Sequence, residues 1–326
     1  MGLLVEGKWQ KEDLIPETAE GAFKRGDTTF RNWVTADGAA GPGGEGGFAA
    51  EPGRYHLYVS YACPWAHRTL ILRKLKKLED IISVSVVDWF MGDEGWQFSN
   101  RDGAIGDPEF GASHLHEIYT AADTGYTGRV TVPVLWDKKR KTIVSNESAE
   151  IIRMFNSAFD GVGAAPGDYY PDEHASEIDA VNDRIYNTVN NGVYKCGFAS
   201  KQAPYEKAFG ELFYTLDVME ERLSGQRYLV GSRLTEADIR FFATLVRFDA
   251  VYVGHFKCNQ QRIADYPNLS NYLRDIYQLP GIADTVNLHH IKNHYYQSHA
   301  SINPCRIVPV GPDLNFEAPH DRGRFE

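Results

Sequence analysis

Residues 54–88 read "RYHLYVSYACPWAHRTLILRKLKKLEDIISVSVVD", and this run constrains the fold more than any other. "RYHLYVS" alternates apolar and polar side chains, the two-residue period of a half-buried strand. Pro64 then suits the first position of a helix, where its missing N–H costs nothing. "AHRTLILRKLKKL" repeats Leu and Ile at helical spacing and gathers Lys and Arg toward its end, which complements the helix dipole. "IISVSVVD" is β-branched and apolar, a second strand. Strand, helix, strand is a βαβ unit whose strands run parallel through a crossover.

Three segments further along the chain complete a domain. "RVTVPVLWD" and "KTIVS" read as strands, with "KKRK" (138–141) as a solvated hairpin turn between them. "NESAEIIRMF" reads as a helix that opens near Ser145 or Asn146 with Glu147 in its first turn. The order βαβ then ββα predicts a thioredoxin-like α/β domain over 55–160. Residues 89–128 are irregular and too long for a plain connection, so they are functional or partly structured. "GVGAAPGDYYPDEH" marks a linker over 161–173. Beyond it, 174–300 reads as an all-α domain, with a capping box from Thr235 to Asp238 and Leu234 placed as its hydrophobic staple. Residues 301–326 form an irregular tail. At the other end, 36–53 hold seven glycines and cannot be a helix or a central strand. The aromatic "TTFRNWVTADG" ahead of them makes 1–54 an extension that wraps the body.

The totals exclude whole classes of function. A chain of 326 residues with 43% hydrophobic and 24% charged residues buries a sizeable core. A net charge of −10 argues against a nucleic-acid surface and against anionic membranes. "MGLLVEGKWQKEDL" is charged too early for a signal peptide, position 6 is Glu where a myristoylation motif has Ser or Thr, and no apolar run is long enough to span a bilayer. Cys63, Cys196, Cys258 and Cys305 are scattered, which is neither a disulfide framework nor a zinc pattern. These features predict a reduced, cytoplasmic setting.

Cys63 carries the chemistry. As the cap of a proline-started helix, its sulfur faces free backbone N–H groups and the positive end of the dipole. Both favour thiolate and lower the pKa below the usual roughly 8.5. The alternative is a buried structural cysteine, which the position just ahead of a proline-started helix disfavours. A paired redox motif has a second cysteine three residues on; here that residue is Ala66. Disulfide chemistry at Cys63 therefore needs an external thiol. His67 gives a Cys-x-x-x-His spacing, but two ligands are too few for a metal, so it reads as a helix-face residue. "TVP" (131–133) can offer extended backbone to a peptide-like ligand. Glu147 and Ser148 at a helix start can hold an α-amino group and an α-carboxylate, although plain helix capping is the simpler role for Glu147. Arg129 and Trp96 add a cation and an aromatic wall. A phenol donates protons and hydrogen bonds, but spacing does not choose among 18 tyrosines.

Joined, these segments resemble a cytosolic glutathione transferase, and in detail the glutathionyl-hydroquinone reductases, the Xi class. The resemblance rests on "RNWVTADG", "CPWAHRT", "SVSVVD", "RVTVPVLWDK", "TIVSNESAEIIRMFN", "YNTVNNGVYKCGFA", "LTEADIRFFATLVRFDAVYV" and "HYYQSHASINP". It implies glutathione as co-substrate, with no metal and no nucleotide, and a homodimer. It makes Cys63 the nucleophile toward the sulfur of a glutathionylated hydroquinone. Trp96, Arg129, Val130, Thr131, Val132, Glu147 and Ser148 hold glutathione in that family pattern. Tyr194 is its proton donor, Tyr252 and Tyr295 hydrogen-bond the thiolate, and Pro133 follows a cis bond. An omega-type thioltransferase or dehydroascorbate reductase, and a non-catalytic assembly module, are the alternatives.

Overall fold

The computed structural model describes residues 2–11 and 18–325. Backbone contacts divide them into two units. The first comprises residues 2–11, Asp27–Gly167 and Thr285–His294; the second comprises residues 18–26, Asp168–Asp284 and 295–325.

The first unit opens with a hairpin of β1 (Leu3–Val5) and β2 (Lys8–Gln10), followed much later by β3 (Tyr55–Val59), α1 (Pro64–Leu75) and β4 (Ser83–Val86). Then come a small ribbon of β5 (Met91–Gly92) and β6 (Gly95–Trp96), α2 (Leu115–Ala122), β7 (Val134–Asp137), β8 (Thr142–Ser145) and α3 (Ser148–Ser157). The main sheet has the order β4-β3-β7-β8. The β3–β4 pair is parallel, with His56 opposite Ser83 and Val59 opposite Val86, as the crossover requires. The other two pairs are antiparallel. Every residue of β3 is buried. His56 lies in that interior, its Nδ1 2.7 Å from Ser83 Oγ and its Nε2 3.0 Å from Ser85 Oγ, and burial pulls its pKa down to about 4.

Both outer strands of the sheet are covered, which removes open edges. Val86 exchanges main-chain bonds with Ile105 beyond β4, and Asn32 N–H donates to Val144 O at 2.9 Å along β8. The glycine-rich lead is ordered. Phe48 is buried, and Arg54 donates to Gly47 O while pairing with Asp137. Gly44 shows why glycine is needed there: its φ is +72°, and a Cβ would fall 2.1 Å from Asn32 Oδ1.

Several expectations change. The strand predicted from Arg129 begins only at Val134. Pro133 has no N–H for a ladder, and the Thr131 N–H and C=O are both engaged by the Tyr119 hydroxyl. The third helix starts later than predicted because Ser145 stays in β8, which makes Glu147 the cap instead of a first-turn residue. Residues 89–128 are partly structured, as expected, and contain a whole helix, α2, and a ribbon. His67 is a helix-face residue as read, and the face is an inward one: it is fully buried and shares a 2.8 Å hydrogen bond with Thr285. That bond, with His290 Nε2 to Asp102 O and His294 Nδ1 to Trp89 O, explains why 285–294 cluster with the first unit, although the sequence pattern predicts them in the helical half.

The second unit contains α4 (Ala175–Ile185), α5 (Gly192–Phe198), α6 (Gln202–Gly225), α7 (Glu236–Arg247) and α8 (Pro267–Tyr277). α9 (Leu288–Ser298) gives its last residues, from Tyr295, to this unit. The capping box forms as the pattern predicts. Asp238 accepts from Thr235 N–H, Leu229 N–H and the Tyr272 hydroxyl, each at 2.8 Å. Burial nevertheless raises its pKa to about 6. The tail is irregular and ends in a plug: buried Arg322 donates to Leu223 O and Arg227 O, the open carbonyls where α6 ends. Among the described residues no helix is long and apolar enough to cross a membrane.

Candidate active site

The thiol sits where β3 turns into α1. Ser60 makes the turn, its hydroxyl accepting from Ala62 N–H at 3.2 Å and its carbonyl accepting from Cys63 N–H at 3.2 Å. Cys63 then adopts the extended cap conformation, φ −78° and ψ 121°, and Pro64 takes the first helical position. The Cys63 carbonyl accepts from His67 N–H at 3.0 Å and so opens the helix. Cys63 is half-buried, and its sulfur lies 3.6 Å from the carbonyl oxygen of Val132. The Val132–Pro133 bond is cis. The structure therefore brings Cys63 and the "TVP" segment together.

Glu147 and Ser148 meet at the start of α3. Glu147 Oε1 accepts from Ala149 N–H at 3.0 Å, so the capping role expected on simple grounds is real. Its other oxygen accepts from Thr28 Oγ1 at 3.2 Å. The buried Ser148 hydroxyl accepts from Arg68 Nη1 at 3.4 Å, and that guanidinium lies 4.5 Å above the ring of Trp65. A carboxylate beside a hydroxyl at a helix N-terminus suits an amino-acid head group.

Tyr119 is the residue that sequence reasoning missed. From α2, its buried hydroxyl donates to Thr131 O at 2.9 Å and accepts from Thr131 N–H at 3.2 Å and Asn146 Nδ2 at 3.1 Å. One phenol thus ties "TVP" to the start of "NES". The apolar spacing of "LHEIYTAA" was the available signal, and it lies inside the segment that otherwise reads as irregular. Arg129 and Val130 are half-buried just before Thr131, and the Arg129 carbonyl accepts from the Tyr126 hydroxyl. Trp96 stands on the β5–β6 ribbon and stacks on His294 with ring centroids 4.7 Å apart.

Three tyrosines meet in the second unit. Tyr194 comes from α5, Tyr252 ends a π-helical turn over Phe248–Tyr252, and Tyr295 comes from α9. The Tyr194 and Tyr295 hydroxyls are 2.6 Å apart, and those of Tyr252 and Tyr295 are 3.1 Å apart. Tyr252 and Tyr295 are fully buried, and burial pushes both phenols well above the ordinary range, so both stay protonated. Tyr194 is half-buried. Phe256 packs against all three rings. Cys196 and Cys258 are buried nearby in sequence from this cluster, and burial, then the neighbouring Cys196, raises the Cys258 thiol. Cys305 is exposed on the tail.

A sheet with a cysteine-capped helix, followed by a helical unit, is the layout of glutathione transferases. The glutathione S-transferase N-terminal domain model matches residues 62–158, and the C-terminal domain model matches 202–275. The chain is 58% identical to the glutathionyl-hydroquinone reductase YqjG of Escherichia coli over 99% of this chain and 98% of that one. A structure of the same protein with glutathione bound superposes with a TM-score of 0.92 over 99% of both chains, at 56% identity. The chain is also 56% identical to the glutathionyl-hydroquinone reductase PcpF of Sphingobium chlorophenolicum, over 96% of each. The Xi-class transferase of Natrialba magadii superposes with a TM-score of 0.92 at 51% identity, covering all of this chain and 97% of that one. This chain belongs to the glutathionyl-hydroquinone reductase family, the Xi class of glutathione transferases.

Proposed function

We propose that this enzyme reduces glutathionyl-hydroquinones to hydroquinones at the expense of glutathione. The Cys63 thiolate attacks the sulfur that joins glutathione to the ring. A new S–S bond forms, the carbon–sulfur bond breaks, and its electron pair passes to the ring carbon. A proton from Tyr194 fills that carbon and the hydroquinone leaves. A second glutathione thiolate attacks the Cys63–glutathione disulfide and regenerates Cys63, giving glutathione disulfide. Two sulfurs are oxidised and one ring carbon is reduced, so electrons balance.

Glutathione is held by Trp96, Arg129, Val130, Thr131, Val132, Glu147 and Ser148. Glu147 takes the α-ammonium, while Ser148 and the positive end of the α3 dipole take the α-carboxylate. The extended 130–132 segment pairs with the peptide unit, and Arg129 and Trp96 supply a cation and a wall. Tyr252 and Tyr295 act as neutral donors toward the thiolate. The enzyme works as a cytoplasmic homodimer.

The single observation that carries this reading is Cys63 at the cap of a proline-started helix, with its sulfur 3.6 Å from the Val132 carbonyl. The test is a mass spectrum after one turnover of a glutathionyl-hydroquinone without free glutathione. One glutathione on Cys63 and one released hydroquinone are expected. A faster reaction with dehydroascorbate or small alkyl disulfides than with the aromatic thioether overturns it in favour of an omega-type thioltransferase.

A further inference from the structure

Arg25 lies in residues 18–26, the stretch of the N-terminal extension that clusters with the second unit. Its guanidinium carbon is 4.9 Å from the centroid of the Tyr194 ring, within cation–π range. Its Nε donates to Asn191 Oδ1 at 2.6 Å, just ahead of α5. Phe23 stacks on Tyr194 and packs on Phe198. Ser200 N–H donates to Gly21 O at 3.0 Å, and Lys201 Nζ donates to Ala19 O at 2.9 Å. The cation is thus fixed on the ring by its own hydrogen bond and by the anchoring of the residues before it, not left on a free arm.

We infer that Arg25 is a positioning residue for the proton transfer, stabilising the Tyr194 phenolate left when that hydroxyl protonates the departing ring carbon. The inference rests on the reading of Tyr194 as proton donor. The proton leaves Tyr194 Oη for carbon as the carbon–sulfur bond breaks, and solvent restores it before the next cycle. While the charge persists, the phenolate oxygen accepts from Tyr295, whose own oxygen accepts from Tyr252. A positive charge over the ring completes the stabilisation.

Other titratable and charged groups face this triad. Arg247 of α7 acts by charge on Tyr252 and Tyr295. His255 and His299 pack on Tyr295, and Lys195 on α5 itself directs Nζ to Asn187 O. Arg25 is the cation that stands on the face of Tyr194. A cation favours the anion and lowers the phenol's pKa, so removing it raises that pKa.

The experiment compares wild type, Arg25→Met, Arg25→Lys and Tyr194→Phe in single turnovers across pH. Arg25→Met should slow hydroquinone release about three- to tenfold at neutral pH and move the alkaline limb up by about one unit. Arg25→Lys should restore most of both effects. An ultraviolet phenolate titration, with Tyr194→Phe as the blank, should show the same upward shift without relying on turnover. If Tyr194→Phe is slow but Arg25→Met leaves both limb and titration in place, the inference alone is overturned. If Tyr194→Phe is as fast as wild type, the donor reading fails and takes this inference with it. An Arg25→Lys protein that behaves as Arg25→Met overturns the role of charge, because packing alone was lost.

Discussion

Cys63 stands just past a strand end among main-chain groups: the turn at Ser60, the cap position of α1 and the Val132 carbonyl. Tyr194, Tyr252 and Tyr295 stand on three separate elements and meet through hydroxyls and ring edges. The first arrangement is built by backbone conformation, which neighbouring side chains support but do not constitute. The second exists only because three helical elements bring distant residues to one point. The first should therefore tolerate most changes except at the reacting atom and its few anchors. The second should register every lost hydroxyl.

The largest expected effect is at the reacting atom. Cys63→Ser should lower turnover at least about a thousandfold and abolish the glutathione adduct in a mass spectrum. Retained turnover would remove the thiol from the mechanism altogether. Next, Tyr194→Phe should cut the rate of hydroquinone release about a hundredfold. On the proposed role of Tyr194 as donor to carbon, the alkylation rate of Cys63 by iodoacetamide should change far less than that release rate.

Acid should separate the two units in opposite directions. His56 in the first unit has a folded pKa of about 4, below the ordinary value, so its contribution is present above pH 6.5 and is lost as pH falls. Between pH 7 and pH 5 that loss is roughly 2 kcal/mol. Asp238 in the second unit has a folded pKa of about 6, above the ordinary value, so its contribution grows as pH falls through 6. Over the same interval the gain is about 1 kcal/mol. Amide exchange at pH 7 and pH 5 should show β3 losing protection relative to α7, and His56→Gln should flatten the difference. Equal changes in both units would break the contrast.

Tyr119→Phe tests whether one side chain matters in a backbone-built site. Losing a hydroxyl that serves Thr131 and Asn146 should cost about 1–3 kcal/mol in stability, read by denaturant midpoint, and raise the KM for glutathione several-fold with kcat nearly unchanged. The smallest effect belongs to Glu147→Gln. An amide oxygen still caps α3, so stability should fall by only about 0.5 kcal/mol. The KM for glutathione should nonetheless rise as the charge for the ammonium disappears. A KM equal to wild type would reduce Glu147 to the capping role alone.

Legibility in the sequence divides along the same line. The β3–α1–β4 run, the Cys63 cap and the Thr235–Asp238 box are each local, so period, proline placement and capping chemistry reveal them. Ala66 in place of a second cysteine even specifies that the partner thiol comes from outside. Helix α2 escaped because its short apolar pattern is embedded among glycines and aspartates. The start of β7 escaped because the Tyr119 hydroxyl, not a strand, takes up the Thr131 main chain.

The sequence alone determined the thiol, its conformation and the class of chemistry, because a strand end, a cysteine and a proline in succession leave the backbone little choice. Tertiary structure decided which three of the 18 tyrosines share hydroxyls, that Arg25 lies on one of them, and that Tyr119 joins the two segments expected to hold glutathione. Those contacts join residues far apart in the chain. No local period encodes them; burial of apolar helix faces does, and the phenols meet as a consequence of it.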